Sequence, residues 1–68
     1  MRLSYIKLQK LMIENQMKGS GLMRVANLSA YAISKINTNE QVSLEMLMRV
    51  CKVFRCDIGD ICEVILND

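Results

Sequence analysis

An all-α fold of five short helices is what this sequence predicts, and three observations carry that expectation. The 68 residues contain no proline and three glycines, so little in the chain interrupts a helix. Apolar residues recur at three- and four-residue intervals through most of the chain instead of alternating. Residues that favour helix N-caps, Ser4, Ser20, Ser29, Ser43 and Asp57, stand at the start of five successive runs.

The first helix is expected from Ser4 to about Asn15. Tyr5, Leu8, Leu11 and Met12 form its apolar stripe, Ile6 and Ile13 widen it, and Lys7 and Lys10 fall on the outer side. Asn15 to Gly19 connects, with Met17 folding back into the core. Ser20 then caps a second helix that keeps only Gly21 inside, since each glycine within a helix costs about 1 kcal/mol. Leu22, Val25 and Ala26 share its inner face. Asn27 tolerates the left-handed backbone needed just past a helix end. Ser29 caps a third helix with Ile33 and Ile36 inward and Ala30, Tyr31, Ser34 and Lys35 outward. Residues 20–37 thus read as helix, three-residue turn, helix.

Residues 37–41 form a polar loop, and Val42 returns to the core. Ser43 caps a fourth helix through about Phe54, with Leu44, Leu47, Met48, Cys51 and Phe54 in its stripe and Val50 alongside. Glu45 near its start and Arg49, Lys52 and Arg55 toward its end complement the helix dipole. Asp57 caps a short turn of helix over residues 58–62, with Ile58 and Ile61 on the core. Residues 63–68 either extend that helix or form a short extended edge strand.

Composition narrows the function. Sixty-eight residues suit a single domain, and with 4% aromatic residues its core must be aliphatic. Such a small core favours oligomerisation. No apolar run approaches about 18 residues and the N-terminus lacks the pattern of a secretory signal, so a cytoplasmic protein without a membrane span is expected. Cys51, Cys56 and Cys62 are an odd set with no CxxC and no histidine, which argues for reduced thiols and against a zinc site. Without histidine the usual general base is missing, and no acid–base or nucleophile–base pair can be assembled. Neither catalytic residues, a metal, a cofactor nor a small-molecule ligand is therefore expected. Charge is uneven: residues 1–38 hold six basic side chains against Glu14, a balance of +5, whereas residues 39–68 hold three basic against six acidic, a balance of −3. The basic half contains the helix-turn-helix pattern, and double-stranded DNA is its leading partner.

These residues resemble the lambda-repressor/Cro-like (XRE-type) helix-turn-helix family, in particular its short single-domain members. The resemblance spans roughly residues 4–62. It lies in Leu22-Met23-x-x-Ala26-Asn27-Leu28-Ser29 with Ile33-x-x-Ile36, then Val42-Ser43-Leu44-x-x-Leu47-x-x-Val50-Cys51, then Cys56-Asp57-Ile58-x-x-Ile61. It implies a third helix lying in the DNA major groove. By position, Ala30, Tyr31 and Lys35 would face base edges, Ser29 and Ser34 would lie near phosphates or the groove wall, and Gly19-Ser20 would offer backbone amides to a phosphate. Lys18 beside that site and Thr38 after the third helix complete the expected DNA-binding set. Three departures stand out. Gly19 replaces a common glutamine, Asn27 replaces the usual turn glycine, and Met12 and Asn37 stand where many members place an Arg–Glu pair. Ala30 offers only a methyl to thymine, so Lys35 is the strong donor, able to reach guanine.

The function implied is a sequence-specific transcriptional regulator, a homodimeric repressor with residues 57–68 as the dimer segment. The alternative is a protein-interaction module, an antitoxin or adaptor whose helix-turn-helix has weak or lost DNA binding.

Overall fold

A computed structural model describes residues 1–67; Asp68, the last residue of the expected dimer segment, lies outside the described residues. In chain order the elements are β1 (Arg2–Ser4), α1 (Ile6–Glu14), α2 (Gly19–Val25), α3 (Ala30–Asn37), α4 (Leu44–Phe54), a 3₁₀ turn (Ile58–Asp60) and β2 (Glu63–Ile65). The expectation of an all-α, five-helix chain is corrected to four α-helices, one 3₁₀ turn and a two-stranded sheet. β1 and β2 pair antiparallel, Arg2 opposite Ile65, Leu3 opposite Val64 and Ser4 opposite Glu63. Residues 63–65 are therefore extended, and the chain ends are stitched together. Three-residue strands are too short to display a period of two, which is why β1 had no sequence signature.

The sheet displaces the first cap. Ser4 belongs to β1, the residue before α1 is Tyr5, and Ser4 Oγ accepts from the Ile6 amide at 3.4 Å. Ser20 is likewise not a cap. α2 begins at Gly19 after Lys18, so both glycines lie inside it. A Cβ on Gly19 would stand 3.3 Å from Ile33 Cγ2, closer than ordinary packing. The glycine lets the first turn of α2 approach α3. Ser29, Ser43 and Asp57 do cap, accepting from Ala32, Met46 and Ile58 amides at 3.1, 3.2 and 2.8 Å. Asp57 and Asp60 complete a reciprocal capping box.

The core gathers Tyr5, Leu8, Leu22, Ala26, Leu28, Ala32, Ile36, Leu47, Val50, Ile61 and Cys62. Met17, Ile33, Val42 and Ile58 pack against it, as expected. Several stripe residues do not. Ile6, Ile13, Val25, Leu44 and Met48 are exposed. In α4 the inner face is turned toward Val50 and Leu47, with Met46, Val53 and Phe54 flanking, so Leu44 and Met48 swing to solvent. Four short helices around so small a core bury a narrow stripe each, and the outer members of a wide stripe are left out.

Each helix ends the same way. Gln16, Asn27, Asn39 and Arg55 have φ of 52°, 56°, 59° and 53°, and none is glycine. After each, an amide reaches back five residues: Met17 to Met12 O at 2.8 Å, Leu28 to Met23 O at 2.9 Å, Glu40 to Lys35 O at 2.8 Å, and Cys56 to Cys51 O at 3.1 Å. These are Schellman closures, and Met17, Leu28 and Cys56 supply the apolar residue that such a closure folds inward.

Tyr5 joins this framework to the sheet. Its ring is fully buried, its amide donates to Asn39 Oδ1 at 3.0 Å, and its hydroxyl donates to the Glu40 carbonyl at 2.8 Å. Burial raises its phenol pKa, and the neighbouring Cys62 adds to the rise.

The left-handed positions give a stability test. Arg55→Gly relieves the Cβ strain of a left-handed residue, offset in part by glycine's greater freedom when unfolded, for a net gain of about 0.5–1 kcal/mol. Asn39→Gly gains less relief, since asparagine tolerates the left-handed region, and leaves the Tyr5 amide without its acceptor, at about 1–3 kcal/mol. Urea unfolding should therefore show Arg55→Gly stabilised and Asn39→Gly destabilised. A gain in both would mean that the Asn39 side chain contributes nothing.

Candidate nucleic-acid interface

α3 is amphipathic. Ala32 and Ile36 are buried and Ile33 is partly buried, so the backbone is anchored along one side. Ala30, Tyr31 and Ser34 are exposed on the other, and Lys35 is partly exposed. The Lys35 ammonium lies 5.0 Å from the centroid of the Tyr31 ring, one turn back. The Ser29 hydroxyl begins the helix as acceptor for the Ala32 amide, and its own proton stays available to an acceptor outside.

The turn before α3 is held from two sides. Asn27 supplies the left-handed residue, and Leu28 buries behind it. From α4, Arg49 Nη1 donates to the Asn27 carbonyl at 3.0 Å while Nη2 pairs with Glu45 at 2.7 Å. Arg49 was legible only as a favourable charge late in its helix. The tie to the turn, 22 residues away in sequence, carries no local signal.

Lys18, Gly19 and Ser20 lie together at the start of α2, with Lys18 and Ser20 exposed. Lys18 and Gly19 share a groove of about 310 Å³ with Gln9, Met12, Ile13, Met17 and Asn37. Met12 and Asn37, the positions of the missing Arg–Glu pair, thus line one recess. The groove also brings Lys18 beside the end of α3. Thr38 is committed differently. Its hydroxyl lies 2.5 Å from Glu40 Oε2 and 3.2 Å from both the Ser34 and Lys35 carbonyls, so its proton is engaged within the chain. Glu40 also sets a negative charge close to the end of α3.

The cysteines are half-buried at 51 and 56 and buried at 62. Burial, reinforced by Cys56, pushes the Cys51 thiol up to about 11, and burial also raises Cys62, against the lowering effect of the Lys7 ammonium. Thiols held protonated at neutral pH are poor nucleophiles and poor metal ligands. Among the described residues no cluster of three or more His, Cys, Asp or Glu could hold a metal, and no helix is long and apolar enough to cross a membrane.

The sequence profile of the Cro/C1-type helix-turn-helix DNA-binding domain matches residues 7–67. This chain belongs to that family. The crystal structure of the transcriptional regulator VanUg, form II, superimposes with a TM-score of 0.90 at 39% identity, covering 97% of this chain and 88% of that one. No curated protein matches the sequence closely enough to count as a relative. The family match begins at Lys7, within α1, so β1 precedes it while its partner β2 falls inside it.

Substitutions at Ser29 can separate its cap from a contact with DNA. Ser29→Ala should cost about 1 kcal/mol in urea unfolding through loss of the cap. Ser29→Asp should restore the cap while weakening binding to duplex DNA through its negative charge. Equal DNA binding by Ser29→Asp and the parent would put Ser29 outside the interface.

Proposed function

We propose that this chain, a single helix-turn-helix domain over residues 1–68, is a cytoplasmic, sequence-specific transcriptional repressor that binds double-stranded DNA as a homodimer. The observation that carries the reading is the division of α3: Ala32 and Ile36 fix the helix to the core, and Ala30, Tyr31, Ser34 and Lys35 are left on its outer side. In a major groove that row would meet base edges, with Lys35 donating to guanine and Ala30 touching a thymine methyl. Lys18, Gly19, Ser20 and Ser29 would serve the flanking phosphates, which fix the register but do not read sequence. Thr38 is the weakest member of the set, because a phosphate would have to draw its hydroxyl from Glu40. The basic balance of residues 1–38 supplies the attractive field for the duplex.

Phosphate contact leaves a measurable signature. Each contact removed lowers the slope of log affinity against log salt by about 0.9. Lys18→Gln should therefore lower the slope by about one per subunit, and Lys10→Gln, mid-helix in α1, by much less. Duplex titrations at several salt concentrations decide it. A larger change for Lys10 would put DNA on another face, and a flat salt response of the parent would favour the protein-interaction reading instead.

The dimer would form through the exposed apolar residues of the C-terminal segment, Val64 in β2 and Leu66 just past its end. They are two residues apart and 58% and 75% exposed. Two-fold pairing there would set two recognition helices about 34 Å apart, one turn of DNA. Deleting the segment would be a poor test, because β2 also pairs with β1 inside each chain. The double substitution Val64→Lys, Leu66→Lys keeps that ladder and charges both positions. It should sediment as a folded monomer that binds DNA weakly; sedimentation equal to the parent would overturn this interface.

A further inference from the structure

Tyr31 and Lys35 are close enough to act as one unit. They stand one turn apart on α3, and the Lys35 ammonium lies 5.0 Å from the Tyr31 ring centroid. The ring is 69% exposed, so it is not held by the core, yet Lys35 beside it is only partly exposed. Both line a shallow groove of about 400 Å³ with Ala32, Gln41, Val42, Ser43 and Met46. The lysine is thus flanked by an aromatic face on its own helix and by the segment leading into α4.

We infer that Tyr31 is a positioning residue for base recognition: its ring holds the Lys35 ammonium on the outer face of α3, where a guanine edge would meet it, and away from the phosphates on either side. This rests on the DNA-reading function proposed above. A lysine is a flexible point charge, and on a bare helix it would be drawn to whichever phosphate is nearest. Such a contact adds affinity on every sequence and selectivity on none. An ammonium resting on a π face keeps its remaining N–H donors free for guanine O6 and N7. The ring acts through its quadrupole, so phenylalanine should serve and an aliphatic residue should not.

The full chain and its Tyr31→Phe, Tyr31→Leu and Lys35→Ala variants would be titrated against duplexes that differ from the preferred site by one base pair. Lys35→Ala should flatten the preference at a single base pair. Tyr31→Leu should flatten that same base pair by about two- to five-fold, the value of an exposed cation–π contact, and leave affinity for unrelated duplex equal or higher. Tyr31→Phe should retain the preference. Adding Tyr31→Leu to Lys35→Ala should flatten that base pair no further. Tyr31→Leu acting on a different base pair, additive effects of the two changes, or failure of Tyr31→Phe to retain the preference would each overturn the inference while leaving DNA reading intact. A parent chain that binds all duplexes alike would overturn the DNA-reading function itself. Tyr31 is exposed, so these variants should unfold in urea with the parent; should Tyr31→Leu misfold, Tyr31→Gln makes the same comparison.

Discussion

The constraint on which this small fold depends is the reversal of the chain after every helix. Each helix is short, between 7 and 11 residues, and none could persist alone in water. Their stability comes from packing, and packing needs each helix to turn back onto the same core within a few residues. The left-handed residue and the six-residue backbone closure do this four times. The closures also draw in Met17, Leu28 and Cys56, so residues of the turns become part of the interior. Non-glycine residues adopt the left-handed region at some cost, lowest for asparagine, and two of the four positions here are asparagine. At Asn39 the side chain is used as well, as the acceptor for Tyr5, which couples the closure of α3 to the start of α1.

That coupling bears on recognition. A helix can read bases only if its position is set before DNA arrives. α3 is fixed at its start by the Ser29 cap and the Arg49 tie to the Asn27 carbonyl, and at its end by the Asn39 and Glu40 bonds to Tyr5. Ala32 and Ile36 anchor its middle. Interactions from α1 and α4 therefore converge on one element, and its outer residues stand on a backbone restrained along its length. Glu40 lends its carbonyl to Tyr5 and its carboxylate to Thr38, which places an acid near the lysine end of α3.

Much of this was legible in the sequence. The capping residues Ser29, Ser43 and Asp57 marked true helix starts, and Asn27 marked a true left-handed turn, because these depend on a few adjacent atoms. Ser4 and Ser20 misled because a distant partner decided the local structure. β2 drew Ser4 into a strand, and α2 starts one residue before Ser20, at a glycine whose missing Cβ leaves room for Ile33. The left-handed backbone at Gln16 and Arg55 had no compositional sign, although the apolar residue following each, Met17 and Cys56, was available as one. At the interface, the outward row of α3 followed from its period, whereas the Arg49 tie, the engagement of Thr38 and the stacking of Lys35 on Tyr31 are side-chain contacts. A linear pattern lists the partners without joining them.

The departures from the family pattern make sense together. Glutamine near the start of the second helix would add a side chain where Gly19 already has Ile33 at 3.3 Å from its missing Cβ. The close approach of α2 to α3 therefore excludes it unless Ile33 yields. Lys18, one residue earlier, is exposed. Met12 and Asn37 face a common recess with Lys18 and Gly19, so the lost ion pair has been replaced on both sides, and neither partner remains as an unpaired charge. The geometry of the helix-turn-helix is thus kept by apolar approach where other members use a polar bridge.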